Sequence, residues 1–506
     1  MKETLLGTVG LLFLLLGVPS LSDEDSEVPA TLPELQTAVA AVMEEHEIPA
    51  VGIAMVDANG PVWVGALGKA NLENDVDATA DSLFRIGSTS KMFVALAVLK
   101  LVEEGALSLN DKLADLAPEI EFKNQWEDTD PIRIVHLLEH TTGWDDIHLP
   151  EYAHSDPTPA TLKEGLDFHP HSRTSRWKPG SRMSYCNAGP PVAAYVVQKL
   201  TGQDFEAYVQ ENFFDPLGMT TATYRHSSDV QERGVTLYNG TEPQDYWHII
   251  MRPSGSINAS PNDMVKLASF FVNRGNVNGQ QLISEASLRR MESTATTSAS
   301  AAGQEIGYGL HNYTSRHKSW IYREHNGGVN GGLTEFSYLP EAKVGHAIMI
   351  NSGSGAGYRE ISDLVRDFET RNLIPREEPV GVSPGPEHES IAGLYQPINP
   401  RQEVGRFLEQ MFGIQALRFD GDELQVSPLL DEDTRRYVAA SPNAYRDKET
   451  GAISLVQVED PLAGTVVHNG TNVLQPVSGA IAYGRFVVGA LWGLSIGISI
   501  LFALVW

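Results

Sequence analysis

The stretch Met92–Leu101 is almost continuously apolar, broken only by Lys100, and it constrains the fold more than any other segment. It is too long for a typical strand and has no polar face, so it predicts a helix buried on most sides. Such a helix needs other elements packed around it. The flanking patterns supply them. Val51–Val56 and Val62–Leu67, joined by Asp57-Ala58-Asn59-Gly60-Pro61, predict a hairpin. Ile132–His140 and Pro191–Leu200 predict helices, Leu333–Leu339 and Val344–Asn351 strands, and Tyr358–Thr370 a helix. Strands near both ends with helices between them predict an α+β domain over residues 31–372, its sheet closed by the N- and C-terminal segments.

The chain, at 506 residues, has room for more than this domain. Residues 373–390 are rich in proline and charge and predict a linker. Over residues 391–478, β-like runs at Gly393–Gln396, Ala416–Phe419, Glu423–Val426, Arg436–Ala440 and Ser454–Glu459 alternate with turn residues, which predicts a small antiparallel β-domain.

The ends speak to location. Residues 1–22 run from Lys2 through an apolar core, Leu5–Val18, to small Ser20 and Ser22, the order of a secretory signal peptide. Residues 484–506 contain no charge after Arg485 and predict a transmembrane helix. Gly489, Gly493 and Gly497 would lie on one face of it, where a second helix could pack. No basic anchor precedes Trp506, so the chain is expected to continue. The expected product is exported and membrane-anchored, with its folded domains outside the cytoplasm, periplasmic or extracellular. The lone Cys186 excludes an intramolecular disulfide, so export rests on the termini alone. A formal charge of −28 excludes nucleic acid as a partner.

The buried helix begins just after Ser88-Thr89-Ser90-Lys91. Residues three apart share a helix face, so the Lys91 amine would stand beside the Ser88 hydroxyl at the helix N-terminus. That pair can act as nucleophile and base in acyl transfer. Ser175–Lys178 and Ser315–Lys318 repeat the spacing without an apolar helix behind them. Tyr185-Cys186-Asn187 offers a phenol to relay protons and an amide to orient substrate or Lys91. His325-Asn326-Gly327-Gly328 offers a donor or cation on an edge strand, and its glycines permit close backbone approach. The N–H groups of Ser88 and Gly328 are the candidate oxyanion donors. A second His-Asn-Gly, at His468, falls out of order and predicts a turn. Trp144-Asp145-Asp146 reads as a solvated loop, with a part in shaping the substrate pocket as the alternative.

Phe84-Arg85-Ile86-Gly87-Ser88-Thr89-Ser90-Lys91, then Ile134–Gly143, Pro179-Gly180 with Tyr185-x-Asn187, and His325-x-Gly327 together resemble the class C β-lactamase, D,D-peptidase and family VIII esterase superfamily. The resemblance implies a β-lactamase/transpeptidase-like antiparallel sheet with a helical subdomain. It implies Ser88 as the acylated nucleophile and Lys91 and Tyr185 as sharers of proton transfer. Asn187, His325, Gly327 and Gly328 would bind substrate, a small molecule or peptide with an amide, ester or β-lactam carbonyl. No metal or cofactor is called for. Class C β-lactamases usually carry lysine where this chain has His325, and histidine there resembles D,D-peptidase and D-aminopeptidase relatives. The trailing β-domain resembles those appended to such peptidase-like relatives. A family VIII-type carboxylesterase is the alternative activity.

Two readings of other kinds compete. His136-Leu137-Leu138-Glu139-His140 matches an inverted zinc-peptidase motif, with both imidazoles one helical turn apart. In the superfamily above, a similar His-Leu-Leu-x-His-Thr stretch is structural. The other rival is an inactive binding protein of the same fold.

Overall fold

The computed structural model describes residues 28–382, 388–430 and 433–505. The signal peptide expected at residues 1–22 lies outside them. The described chain opens with helix α1 (Leu32–Glu45), where the Thr31 hydroxyl accepts from the Glu34 N–H and Glu34 reaches back to the cap. Strands β1 (Ala50–Asp57), β2 (Gly60–Asn71) and β3 (Val76–Asp77) follow. A single 3-10 turn, Gly87–Ser90, then leads directly into α2 (Lys91–Glu103). A helical body containing α3 (Gly189–Thr201) and α4 (Pro261–Val272) intervenes before β4 (Tyr313–His317), β5 (Trp320–Val329), β6 (Gly332–Leu339), β7 (Val344–Ile350) and α5 (Gly355–Thr370).

The strands form one antiparallel sheet in the order β4-β5-β6-β7-β1-β2-β3. Its centre joins the two ends of the domain, with Val51 opposite Ile350 and Ala54 opposite Ala347. Helices α1 and α5 cover one face through Leu35, Val39, Val365 and Phe368. On the other face α4 and the helical body bury Phe271, Phe336 and Met349. With both faces covered, β1 is apolar along nearly its whole length.

Helix α2 lies inside the helical body, and Met92–Val98 are completely buried. The helix expected at Ile132–His140 shrinks to Ile134–Leu138, because the backbone turns left-handed at His140 (φ 54°). Helix α3 begins earlier than its apolar pattern, since Pro190 and Pro191 sit in the first turn, where no amide donor is needed.

The C-terminal β-domain is a closed barrel of eight antiparallel strands, from Gly393–Pro397 to Asn472–Val477. Closure leaves no strand edge to pair with another chain. Tyr395, Leu417, Leu424, Tyr437, Leu455, Val467 and Leu474 fill its interior. Ala444–Asp447, Gly464–Asn469 and Asn472–Val477 are strands without a clear signature in the sequence. The His468-Asn469-Gly470 copy forms the tight turn between the last two, with Gly470 at φ 59°.

The barrel is docked onto the first domain. Arg182 donates to Asp460 at 2.6 and 2.7 Å and to the Ile398 carbonyl at 3.1 Å, with both charged side chains almost fully buried. Asn399 donates to the Met183 carbonyl, and Ser184 to that of Pro400. The chain then leaves as α6 (Gly479–Val505), a helix long and apolar enough to cross a membrane, with a mean hydropathy of 2.2. Of its three spaced glycines, Gly489 faces Met411.

Candidate active site

Ser88 sits in the 3-10 turn that opens α2, and the turn is pressed against β5. Two glycines make the approach possible. A Cβ on Gly87 (φ 51°) would lie 2.7 Å from the Gly328 nitrogen, and one on Gly327 would lie 1.9 Å from the Ile86 oxygen. Neither position tolerates a side chain. The contact is fixed by Thr89, whose hydroxyl donates to the His325 carbonyl at 3.0 Å, and by Ser90, which donates to the Gly87 carbonyl at 2.7 Å. Strand β4 pairs with β5 only as far as Glu324, so residues 325–329 form a free edge facing this turn.

Lys91 is fully buried, and its amine reaches Ser88 Oγ at 2.9 Å and the Ser254 carbonyl at 2.6 Å. Burial drives its pKa well below that of an ordinary lysine. Asp146 opposes the shift and Arg401 adds to it. The neutral amine that a base requires is therefore favoured. The Tyr185 ring stands beside it, with Lys91 Nζ 5.1 Å from the ring centroid. Burial raises the phenol pKa, partly offset by Arg401 and by a hydrogen bond with Ser88. Ser88, Lys91 and Tyr185 thus meet at the head of α2.

Asn187 reaches the same place with a different partner from those expected. Its backbone N–H donates to Asp146 Oδ1 at 2.7 Å and its side-chain amide donates to both Asp146 oxygens at 3.1 and 3.3 Å. Asp146 is only 2% exposed, which corrects its reading as part of a solvated loop. It also binds Arg401 Nε at 2.7 Å. Arg401 comes from the barrel, yet its guanidinium carbon lies 4.8 Å from the Tyr185 ring centroid.

His325 lies on the strand beside the nucleophile, expected as a donor or cation, but its imidazole is buried and both ring nitrogens have protein partners. A chain of four hydrogen bonds fixes it. The Cys186 N–H donates to His140 Nδ1 at 3.2 Å, His140 Nε2 meets the Tyr308 hydroxyl at 3.1 Å, and that hydroxyl meets His325 Nε2 at 2.7 Å. His325 Nδ1 lies 2.8 Å from the Asn326 carbonyl. The Cys186 amide can only donate and the Asn326 carbonyl can only accept, so His140 is neutral, and with His325 neutral as well one proton arrangement satisfies every bond, the Tyr308 hydroxyl donating to His325 Nε2. Burial, reinforced by Lys91, pushes the His325 pKa down to about 3.

The zinc-peptidase reading fails on geometry. His136 Nδ1 accepts from the Arg133 N–H, and His140 is committed to Tyr308 and Cys186. Glu139 binds Arg290, the Ala295 and Thr296 N–H groups and the Thr296 hydroxyl. The three side chains therefore serve separate partners. The other Ser-x-x-Lys pairs are also dispersed: Ser175 donates to the Thr142 carbonyl while Lys178 pairs with Asp130, and Ser315 binds Glu324 while Lys318 pairs with Asp367.

Ser88 opens onto a cleft of about 580 Å³. Its lining includes polar Glu151, Asn187, Gly328 and Arg401 together with Ile147, Tyr152, Trp247, Ile249, Ile250 and Met251. Asp146, Ser254, Tyr308 and Arg401 were not singled out from the sequence as site residues. A nucleophile beside a neutral amine, with a phenol within reach, can take up and return a proton at a carbonyl in this cleft.

The family model described as Beta-lactamase matches residues 35–368. The D-alanyl-D-alanine-carboxypeptidase/endopeptidase AmpH of Escherichia coli (strain K12) is 25% identical, covering 69% of this chain and 93% of that protein. Penicillin-binding protein 4 of Amycolatopsis lactamdurans is 26% identical, covering 65% of this chain and 87% of its own. In three dimensions, the octameric penicillin-binding protein homologue from Pyrococcus abyssi superposes with a TM-score of 0.58 at 20% identity, covering 88% of this chain and 99% of that one. The D-amino acid amidase from Ochrobactrum anthropi SV3 gives a TM-score of 0.55 at 20% identity, covering 66% and 98%. These two likenesses concern the fold.

Proposed function

The chain belongs to the beta-lactamase family of serine hydrolases, and from that premise we propose that it cleaves amide bonds of peptides through an acyl-enzyme on Ser88. The observation that carries the reading is the 2.9 Å contact between Ser88 Oγ and a fully buried Lys91 amine. Ser88 Oγ attacks the carbonyl carbon, and its proton passes to the Lys91 amine. The oxyanion is held by the N–H groups of Ser88 and Gly328. Collapse of the tetrahedral intermediate expels an amine, which takes the proton from Lys91 by way of Tyr185. Water then repeats the sequence and frees the acid.

The cleft and the relatives support one substrate class over others. AmpH is named for D-alanyl-D-alanine cleavage, and the amidase for D-amino acid amides, so a D,D-peptidase or D-aminopeptidase activity is the favoured form. His325 is neutral and buried, whereas Arg401 spends Nε on Asp146 and keeps about half its side chain exposed at the cleft. Arg401 is therefore the group assigned to a substrate carboxylate, and Asn187 acts by holding Asp146 in place. The apolar helix α6 supports anchoring of an exported enzyme in a membrane.

A fluorescent penicillin or a fluorophosphonate tests this reading. Either should label the wild type covalently, with or without a chelator, and leave Ser88→Ala unlabelled. Failure of both probes on the folded wild type would favour a binding protein of the same fold. Turnover of D-Ala-D-Ala peptides, short-chain esters and a chromogenic cephalosporin then separates peptidase, esterase and β-lactamase.

A further inference from the structure

At the rim of the cleft lies a second cluster that acyl transfer does not use. His148, Glu151 and His169 each offer one ligand atom, and these atoms all lie within 4.8 Å of one another. His148 Nδ1 and His169 Nε2 are 3.1 Å apart. Two imidazole nitrogens on one tetrahedral zinc ion stand about 3.3 Å apart, given Zn–N bonds of about 2.0–2.1 Å. A hydrogen bond between neutral imidazoles accounts for the histidine pair. Glu151, held by the cap of the short helix Leu149–Tyr152, brings a buried carboxylate to the same point.

The surroundings are those of a supported ligand set. Glu151 is 4% exposed, and its Oε2 accepts from the His148 N–H at 2.7 Å while Oε1 accepts from Ser172 at 3.4 Å. The far nitrogen of His148 lies 3.3 Å from Asp145 Oδ2, which holds Nδ1 toward the other two ligands. Metal-bound imidazoles commonly have a carboxylate in that position. Asp145 is itself fixed by Arg176 and by the Glu403 N–H of the barrel. Both histidines are partly exposed, which leaves a fourth position for water.

We propose that His148, Glu151 and His169 bind one divalent transition-metal ion, with zinc the ion best matched to two imidazoles and a carboxylate. The sequence calls for no metal, because two of the ligands are close neighbours but the third lies 21 residues after the first with no recognisable spacing. The ion would tie the segment carrying Asp146, Ile147 and Tyr152 to the segment ending in His169. Its role is to brace the cleft wall, and it stands whether or not Ser88 is acylated.

The test uses the untagged full chain in detergent, stripped with a chelator and dialysed. Titration with Zn²⁺ against a chromophoric chelator should give one equivalent bound and a raised thermal midpoint. Co²⁺ should give the visible d–d bands of a low-coordinate nitrogen and oxygen site. His169→Ala and Glu151→Gln should lose the stoichiometric binding. Asp145→Asn should weaken it roughly tenfold to a hundredfold, the usual effect of removing an outer-sphere partner. Absence of zinc binding and of cobalt bands in the wild type would overturn the proposal without need of any variant. So would full zinc affinity in the doubly substituted His148→Ala, His169→Ala chain. Penicillin labelling of the stripped protein reports separately on the serine chemistry.

Discussion

Replacing Lys91 by methionine separates the chemistry of the amine from its packing. Methionine has nearly the same length, so the packing around the side-chain stem at the head of α2 keeps its volume. The proton acceptor 2.9 Å from Ser88 Oγ is lost. A positioned general base contributes about 10²–10⁴-fold to rate. The acylation rate constant should therefore fall by about that factor, equivalent to about 3–5 kcal/mol in the barrier. Stability should move in the opposite direction at low pH. The folded pKa of Lys91 lies well below its unfolded value, so between those two values the unfolded chain binds the extra proton. Wild-type stability then rises with pH across that interval, by up to about 1.4 kcal/mol per pH unit. The methionine variant should lack both this slope and the rising limb of the acylation profile. Stopped-flow acylation with a fluorescent penicillin reads the rate, and urea melts across pH read the linkage. A variant that acylates nearly as fast as the wild type, or that keeps the same pH limb, would remove Lys91 as the base.

Three further outcomes are expected. Tyr185→Phe should slow turnover while leaving the thermal midpoint close to the wild-type value; full activity would end the proton-relay role of the phenol. Arg182→Ala leaves Asp460 buried without its partner, so it should cost about 3–5 kcal/mol in denaturant unfolding, with the barrel loosening first. Intact barrel protection in hydrogen exchange would refute that docking argument. His346 donates from both ring nitrogens, at 3.0 Å to Glu335 and 3.0 Å to Glu369. Burial opposes its charge, but the two carboxylates prevail and push its pKa up to about 9. Its contribution to stability should be complete below pH 6.5 and be lost as the pH rises through 9, and His346→Gln should flatten that decline in melts between those values.

Much of this was legible because it is local. The apolar run after Ser88 specifies α2, and the i, i+3 spacing places amine and hydroxyl together whatever else the chain does. The Asp57–Pro61 turn between two apolar runs specifies the hairpin at the sheet centre. What was hidden depends on distant partners. Arg401 and Asp146 are 255 positions apart, and nothing near either residue announces the pair. Two consecutive aspartates look solvated, yet Asp145 and Asp146 are consumed by different networks. His325 in a glycine-rich segment looks like an exposed donor. Its burial is set by Tyr308, which has no signature of its own, and by His140, whose His-x-x-Glu-His motif points to a metal instead. The barrel strands Ala444–Asp447, Gly464–Asn469 and Asn472–Val477 are short and half polar, so their alternation is weak, and each is completed by its neighbours in the closed circle.

The arrangement at Arg401 also limits how this protein can be taken apart. Ending the chain near residue 372 would remove one cationic wall of the catalytic cavity and leave the Asp146 carboxylate facing Lys91 without its counter-ion. The excised fragment would then be a different catalyst, with a more basic lysine and a cavity that repels anionic substrates. Grafting barrels from other chains onto this scaffold would, by the same logic, exchange selectivity along with the graft.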